Sequence, residues 1–487
     1  MMRAGVVALV LAAPLAARAQ PVASNDSSTP PGAGAAEPTS TTTTAPGPHE
    51  LTAADVAADP LPGDESGRID PLDTDSVARR MGRVALFVPK LLLEAAFAPM
   101  RAGVWAEDRY QLDELYYRVF YNADRTVGLY PTGTYATGYG ITAGARFSAH
   151  ELFGKGEALA LQATTGAIDG EHYHESFLVQ ANTGRRLGHF QLGADGSFDR
   201  RPNDPFYGIG NSDQSPAPST PVDPRTSDLA FSTRYRYQEA RAALYLDARV
   251  VDDLHVRATG AIANHHYAAG DEGPPTDDVY ATSGLVGWNG YSNAYGELEL
   301  RIDKRRRASL WEPHDLHAEG WLAAVSVGRV HELDGGADFW RGSAELQQFI
   351  RFGMGPRLLA LRLRGETVSG STSEVPFSEL PFLGGGDFLR GYDFARFRDR
   401  VSLLGSAEYI WDLAHWFDAA LYVDAGRVYS SLSAIDADHL RVGYGVALEI
   451  YNESSFLFEF SVSSSIDGGL FFNVMFNPVF DNRPRWR

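Results

Sequence analysis

Leu389-Arg390-Gly391-Tyr392 sets a permanently charged guanidinium between an aliphatic and an aromatic residue, with a glycine beside it for close approach. An arginine held among apolar neighbours needs a carboxylate, because an uncompensated buried charge is costly. Strand parity offers one. In Phe417–Arg427, reading FDAALYVDAGR, Phe417, Leu421 and Val423 share one face while Asp418, Tyr422, Asp424 and Gly426 share the other. If the apolar face looks outward, Asp424 points inward, where a bidentate pair with Arg390 is strong and geometrically fixed. Gly426 leaves room beside it. Glu408, in Gly405-Ser406-Ala407-Glu408 on the preceding strand, also faces inward and is a second candidate. The competing reading makes Arg390 a solvated loop residue and Asp424 one lumenal polar group among many.

Other groups promise less chemistry. His172-Tyr173-His174 and His265-His266 offer imidazoles without a placed carboxylate, and Glu312, His314, Asp315 and His317 lie in one turn; none makes a strong metal site, so no metal or other cofactor is expected. No G-x-S-x-G elbow, H-E-x-x-H helix or phosphate-binding glycine loop is present, and no enzyme activity is expected. The chain has no cysteine, which excludes disulfides and thiol catalysis. Its net charge of −19 disfavours a nucleic-acid partner.

The hook belongs to the stretch Leu380–Arg400, LPFLGGGDFLRGYDFARFRDR, in which Gly384, Gly385 and Gly386 are expected to give access to positive φ and to remove side-chain bulk for a sharp turn in a confined space. What must position it is a wall of strands. Residues 1–19 read as a secretory signal, with Arg3, an apolar run and the cleavage site Ala17-Arg18-Ala19. Residues 20–75, rich in Pro, Ala, Ser and Thr, read as a disordered periplasmic leader. In the segment 76–124, Val84, Phe87, Val88, Leu91, Leu92, Ala95 and Ala96 recur at helical spacing. The amphipathic helix over 84–105 either packs on the rest of the protein or lies on a membrane surface through Lys90, Leu91, Phe97 and Arg101.

From Asp124 the period becomes two. Sixteen alternating runs are expected, the fifth over 188–199 and the last over 469–477, within a domain spanning 125–480 and followed by a tail over 481–487. Phe456, Phe458, Phe460 and Val462 oppose Leu457, Glu459, Ser461 and Ser463, and Leu470, Phe472, Val474 and Phe476 share a face against Asn473 and Asn477. No stretch after the signal reaches the roughly 18 apolar residues of a spanning helix, so a barrel is the remaining way across a membrane. The fold expected is all-β, a 16-stranded antiparallel transmembrane β-barrel with an N-terminal amphipathic helix, and Trp321, Trp340, Trp411 and Trp416 mark strand ends near the interfaces. Lys304–Arg307 reads as a solvated turn. Pro131, in the first strand, lacks a backbone donor, and the seam between first and last strands is expected to be weak there.

LRGY in a glycine-rich loop, then GSAE and YVDAG on the next two strands, resembles the BamA/TamA superfamily of outer-membrane barrels, the bacterial surface antigen family, over about residues 126–480. Asp467–Val474 is similar to that family's terminal-strand signal. The resemblance implies a hook of the sixth extracellular loop, Leu389, Arg390, Gly391 and Tyr392, tucked against Asp424 of the thirteenth strand. It also implies residence in the bacterial outer membrane. The pattern of the family's periplasmic POTRA domains does not occur between Gln20 and Asp124. The function it implies is insertion or translocation of proteins, or of lipids, at a seam bordered by Pro131, Phe472 and Phe476, with the hook bracing the opposite lumenal wall. The expected partners are outer-membrane lipid, unfolded outer-membrane protein clients and a separate periplasmic partner. The alternative is a passive pore or structural surface barrel with the loop as an inward-folded plug.

Overall fold

The computed structural model describes residue 109 and residues 112–480 apart from 110–111, 137–139, 155, 167–173, 185–188, 252, 306–318, 352–356, 415–416, 452–455 and 476–479. The signal, the leader, the helix 84–105, His172, the group at Glu312–His317, Trp416, Phe476 and the tail 481–487 lie outside the described residues.

The period-two runs form one antiparallel sheet of sixteen strands in strictly sequential order. They are β1 (Val127–Ala136), β2 (Gly140–His150), β3 (Ala158–Gly166), β4 (His174–Asn182), β5 (Phe190–Phe206), β6 (Thr233–Val251), β7 (Leu254–Ala269) and β8 (Tyr291–Asp303). There follow β9 (Gly320–Glu332), β10 (Asp338–Arg351), β11 (Arg357–Val368), β12 (Val401–Ala414), β13 (Phe417–Tyr429), β14 (Arg441–Tyr451), β15 (Phe456–Ser465) and β16 (Phe471–Met475). Sequential neighbours are what short hairpin connections produce, and curling such a sheet brings its two ends together. β1 and β16 approach within 8 Å between Cα atoms.

Alternation sorts the side chains as a membrane barrel requires. Leu129, Leu161, Val179, Leu244, Leu298, Val327, Leu421 and Val423 are exposed on the outer face. Their strand neighbours Asp418, Asp424 and Glu299 are buried on the inner one. In water this would be an inverted protein; in lipid, every outward apolar group is solvated and every ladder hydrogen bond is satisfied within the wall.

Two boundaries differ from the expected ones. β5 runs on to Phe206, because a bulge between Arg201 and Asp204 accommodates Pro202 and the pairing with β6 then resumes through Pro205, opposite Arg234. β16 starts at Phe471 because Gly468 and Gly469, at φ +91° and +90°, form the preceding turn. A short helix α1 (Leu112–Phe120) precedes β1, and the Tyr121 ring beyond it stacks on Tyr130 at 5.7 Å. The long connections 207–232, 270–290 and 369–400 fold together around Phe206, Phe231, Tyr280 and Phe377. Asn211 is tied to β13 by both amide groups, donating to the Val428 carbonyl at 2.6 Å and accepting from its N–H at 3.1 Å.

Candidate functional site

The connection between β11 and β12 re-enters the lumen. Phe382–Leu383 pairs with Phe397–Arg398 as a two-rung stem. Gly384 and Gly385, at φ +114° and +97°, turn the chain, and a Cβ on Gly384 would stand 2.1 Å from the Asp393 carbonyl. Gly386 contributes by its lack of bulk and not by its φ: its backbone is not left-handed, and its bare Cα makes space for Met475 of β16, whose sulfur lies 2.6 Å from where a Cβ would sit.

Leu389 holds φ +75°, a conformation that costs a side-chain-bearing residue about 1–2 kcal/mol. Its complete burial with Leu383, Tyr392, Phe397, Leu404 and Val428 offsets that strain. Arg390 is 1% exposed. Its Nε donates to Asp424 Oδ2 at 2.8 Å, Nη2 to Asp424 Oδ1 at 3.0 Å and Nη1 to Glu408 Oε1 at 2.7 Å. Its backbone N–H adds a third bond to Asp424 at 3.0 Å, and the guanidinium lies 3.4 Å over the Tyr422 ring. Buried arginine is sustained here by a bidentate fork, a second carboxylate and an aromatic face together.

Gly391 (φ +92°) and Gly443 of β14 let backbone meet backbone: a Cβ on Gly391 would lie 2.3 Å from the Ser464 carbonyl, and one on Gly443 only 1.6 Å from the Arg390 carbonyl. Tyr392 donates to Asp467 at 3.0 Å, and burial pushes its phenol up to about 12, so it remains a donor at neutral pH. Gly426 makes room for Leu383 of the stem. The structure thus brings Leu389, Arg390, Gly391, Tyr392, Glu408, Asp424 and Gly426 into one assembly. Pro131 and Phe472 are elsewhere, exposed on β1 and β16.

The hook does not stand opposite the seam. All its anchors lie on β12–β15, and Gly386 adjoins β16, so it braces the wall beside the seam; pairing with β13 already demands this. Gly443, Tyr422 and Glu459, whose Oε1 is 4.0 Å from Arg390 Nη1, belong to the site and were not singled out from sequence. Alternation did put Glu459 inward, but nothing local marks Gly443.

The loop is pinned twice more. Phe388 lies under the guanidinium groups of Arg362 and Arg364, at 5.6 and 4.9 Å, which bind Glu345 at 2.9 and 2.6 Å. At the loop's base Glu379 accepts from Arg341 Nη2 at 2.6 Å, Tyr291 at 3.1 Å and Asn293 at 3.2 Å. Burial opposes ionisation of Glu379, yet Arg341 and His265 outweigh it and hold the carboxyl below its ordinary range. A carboxyl with a depressed folded pKa stabilises the loop above its unfolded pKa and loses that contribution as pH falls through the folded value. Protection factors of residues 371–383, which correct for intrinsic exchange, are therefore expected to fall as Glu379 becomes protonated at acid pH, and Glu379→Gln to flatten the dependence; an unchanged profile in that variant would contradict the assignment.

The histidines serve as hydrogen-bonding groups. His174 meets Asp199 at 2.7 Å, and His265 stacks on Tyr291 at 4.5 Å. Among the described residues no three His, Cys, Asp or Glu side chains are gathered to hold a metal ion.

A sixteen-stranded sheet with an apolar exterior and a polar, loop-filled interior defines an outer-membrane β-barrel. The Omp85 superfamily domain matches residues 151–466, well over half the chain, and the chain belongs to that superfamily. It is a protein of the bacterial outer membrane. Among solved structures it is similar to BamA from Haemophilus ducreyi lacking POTRA domains 1-3, at 13% identity over 72% of this chain and 70% of that one, with a TM-score of 0.49. It is also similar to CdiB from Acinetobacter baumannii (12% identity, 71% of this chain and 58% of that one, TM-score 0.43) and CdiB from Escherichia coli (12%, 72% and 61%, TM-score 0.45). No curated protein matches the chain.

Proposed function

We propose that this barrel assists the insertion or translocation of proteins, or of lipids, at the seam between β1 and β16, and that it does so without enzymatic chemistry. The observation that supports this reading is the unpaired approach at the seam. Among the described residues no ladder joins β1 and β16, although they come within 8 Å between Cα atoms. Unpaired backbone groups in lipid are so unfavourable that a client strand satisfying them binds by β-augmentation at little cost. The hook keeps β12–β15 in shape while the neighbouring edge opens. Its partners in this reading are outer-membrane lipid, unfolded outer-membrane protein clients and a separate periplasmic protein.

Depletion of the protein followed by a quantitative inventory of outer-membrane proteins and lipids tests this. A defined subset is expected to fall. An unchanged inventory, with steady conductance of the purified barrel in planar bilayers, would instead favour a passive pore with an inward-folded plug.

A further inference from the structure

The seam edge of β1 already has an occupant, and it comes from the same chain. In an antiparallel pair both backbone groups of a residue point to one side, and successive residues alternate. The Thr126 carbonyl accepts from the His150 N–H at 2.7 Å, and Gly128, Tyr130 and Thr132 stand opposite Ser148, Arg146 and Gly144 in the same phase. Even-numbered residues of β1 therefore turn their backbone groups toward β2. Val127, Leu129, Pro131, Gly133 and Tyr135 turn theirs toward the seam.

The first of these is taken. Asn122 donates its backbone N–H to the Val127 carbonyl at 2.8 Å, and its Oδ1 accepts from the N–H of Val127 at 3.0 Å and of Thr126 at 2.8 Å. Arg125, at φ +55°, closes the turn by donating its N–H to the Asn122 carbonyl at 2.9 Å, and its guanidinium lies 4.5 Å over the Tyr117 ring. Tyr121 stands opposite Gly128 as an antiparallel bridge.

Aromatic packing on the inner face of β1 holds this turn in place. A Cβ on Gly128 would lie 2.6 Å from the Tyr121 ring, which fills that space and stacks on Tyr130. The Tyr116 ring lies 5.1 Å from Phe120, 5.9 Å from Tyr121 and 6.0 Å from Tyr130. Beyond the capped rung the edge is a poor template. Pro131 has no N–H to give, and among the described residues no ladder or bridge reaches Gly133 or Tyr135 from the seam side.

We propose that Tyr121–Arg125 is a displaceable cap on the seam edge. It holds the rung at Val127 closed, and an incoming strand docks on β1 by replacing Asn122 there, because Pro131 interrupts the donors further along. An exposed edge is a template for any chain able to complete it, and a local segment on its first rung excludes the others. The cap grips β1 by one rung and a patch of rings, so a strand that offers several rungs outcompetes it. The partner it selects is an extended segment with free backbone groups. This inference rests on reading the seam as the docking edge, and it adds the step that controls access to that edge.

The test uses the full-length barrel in phosphatidylcholine liposomes and a synthetic peptide of residues 469–477, the sequence of the strand that lies beside β1, carrying a benzophenone at its N-terminus. The readout is the yield of photo-cross-links mapped to β1. Asn122→Ala removes the side-chain acceptor and is expected to raise the yield about fivefold, the effect of about one net hydrogen bond. Asn122→Asp keeps the acceptor and should match the native barrel. Tyr121→Cys with Gly128→Cys places two thiols on directly opposed residues of this cysteine-free chain, a spacing that suits a disulfide. Oxidation is expected to lower the yield about tenfold, equivalent to about 1.4 kcal/mol, and reduction to restore it. Opposite changes in the two variants, one of them reversible, separate capping from misfolding. Equal yields from the oxidised, reduced and Asn122→Ala barrels would overturn the cap and leave the docking edge standing. Absence of cross-links from every form would overturn both.

Discussion

Replacing Arg390 with alanine is expected to cost the barrel about 3–5 kcal/mol, the loss typical when one partner of a buried ion pair is removed. The large magnitude has a specific source. Asp424 and Glu408 are 2% and 1% exposed, and the substitution leaves both without the guanidinium that donates three bonds to them, while Glu459 stands 4.0 Å away. Water cannot reach the gap cheaply, because Leu389 and Tyr422 close over it. Arg390→Lys should be intermediate, since an ammonium restores charge but not the fork. Arg396→Ala is the control. Arg396 donates to the neutral Ser212 carbonyl at 2.7 Å and stacks near Tyr207, so its loss strands no anion. Heat-modifiability and surface abundance should rank native, Arg396→Ala and Arg390→Ala in that order; equal values for the two variants would refute the pairing as the source of stability.

The second large effect is expected at a residue with no side chain. Gly443→Ala puts a methyl 1.6 Å from the Arg390 carbonyl, and β14 cannot yield, because Gly443 is paired to Asp424 on one side and Ser465 on the other. The hook must lift instead, which breaks the contacts that Arg390→Ala breaks. Overpacking alone costs about 1–3 kcal/mol, and the displaced ion pair adds to it. Because both substitutions act on one assembly, the double variant Arg390→Ala/Gly443→Ala should be far less destabilised than the sum of the singles. Gly405→Ala provides the comparison: its Cβ would meet nothing closer than the Ala425 carbonyl at 3.9 Å and should be neutral within about 0.5 kcal/mol. Additive losses from Arg390 and Gly443 would show that the glycine supports the barrel independently of the hook.

The barrel was legible because lipid makes period-two patterning obligatory. Outward Leu421 and Val423 fixed the direction of Asp418 and Asp424, and a lone arginine in an apolar loop required a partner among such inward acids. What was not legible depends on backbone contact and on chain path. Gly443 matters because a carbonyl arrives there, and no local pattern announces a visiting backbone. The hook's position beside the seam followed from which strand carries Asp424, yet the geometry of a curled sheet was needed to see it. Phe480 carries no periodic signal of its own, and its seat against Phe349 and Ala420 is visible only in the fold. The extension of β5 to Phe206 was hidden by two prolines, of which a bulge absorbs Pro202 while Pro205 sits in the resumed ladder.

The central claim is that clients are handled at the β1–β16 seam, and a reversible lock tests it most directly. Cysteines introduced on β1 (127–136) and β16 (471–475) of this cysteine-free chain, oxidised in liposomes, join the two edges covalently. Assembly of an added unfolded outer-membrane protein should stop in the oxidised barrel and resume on reduction. Undiminished assembly by the locked barrel would contradict the account.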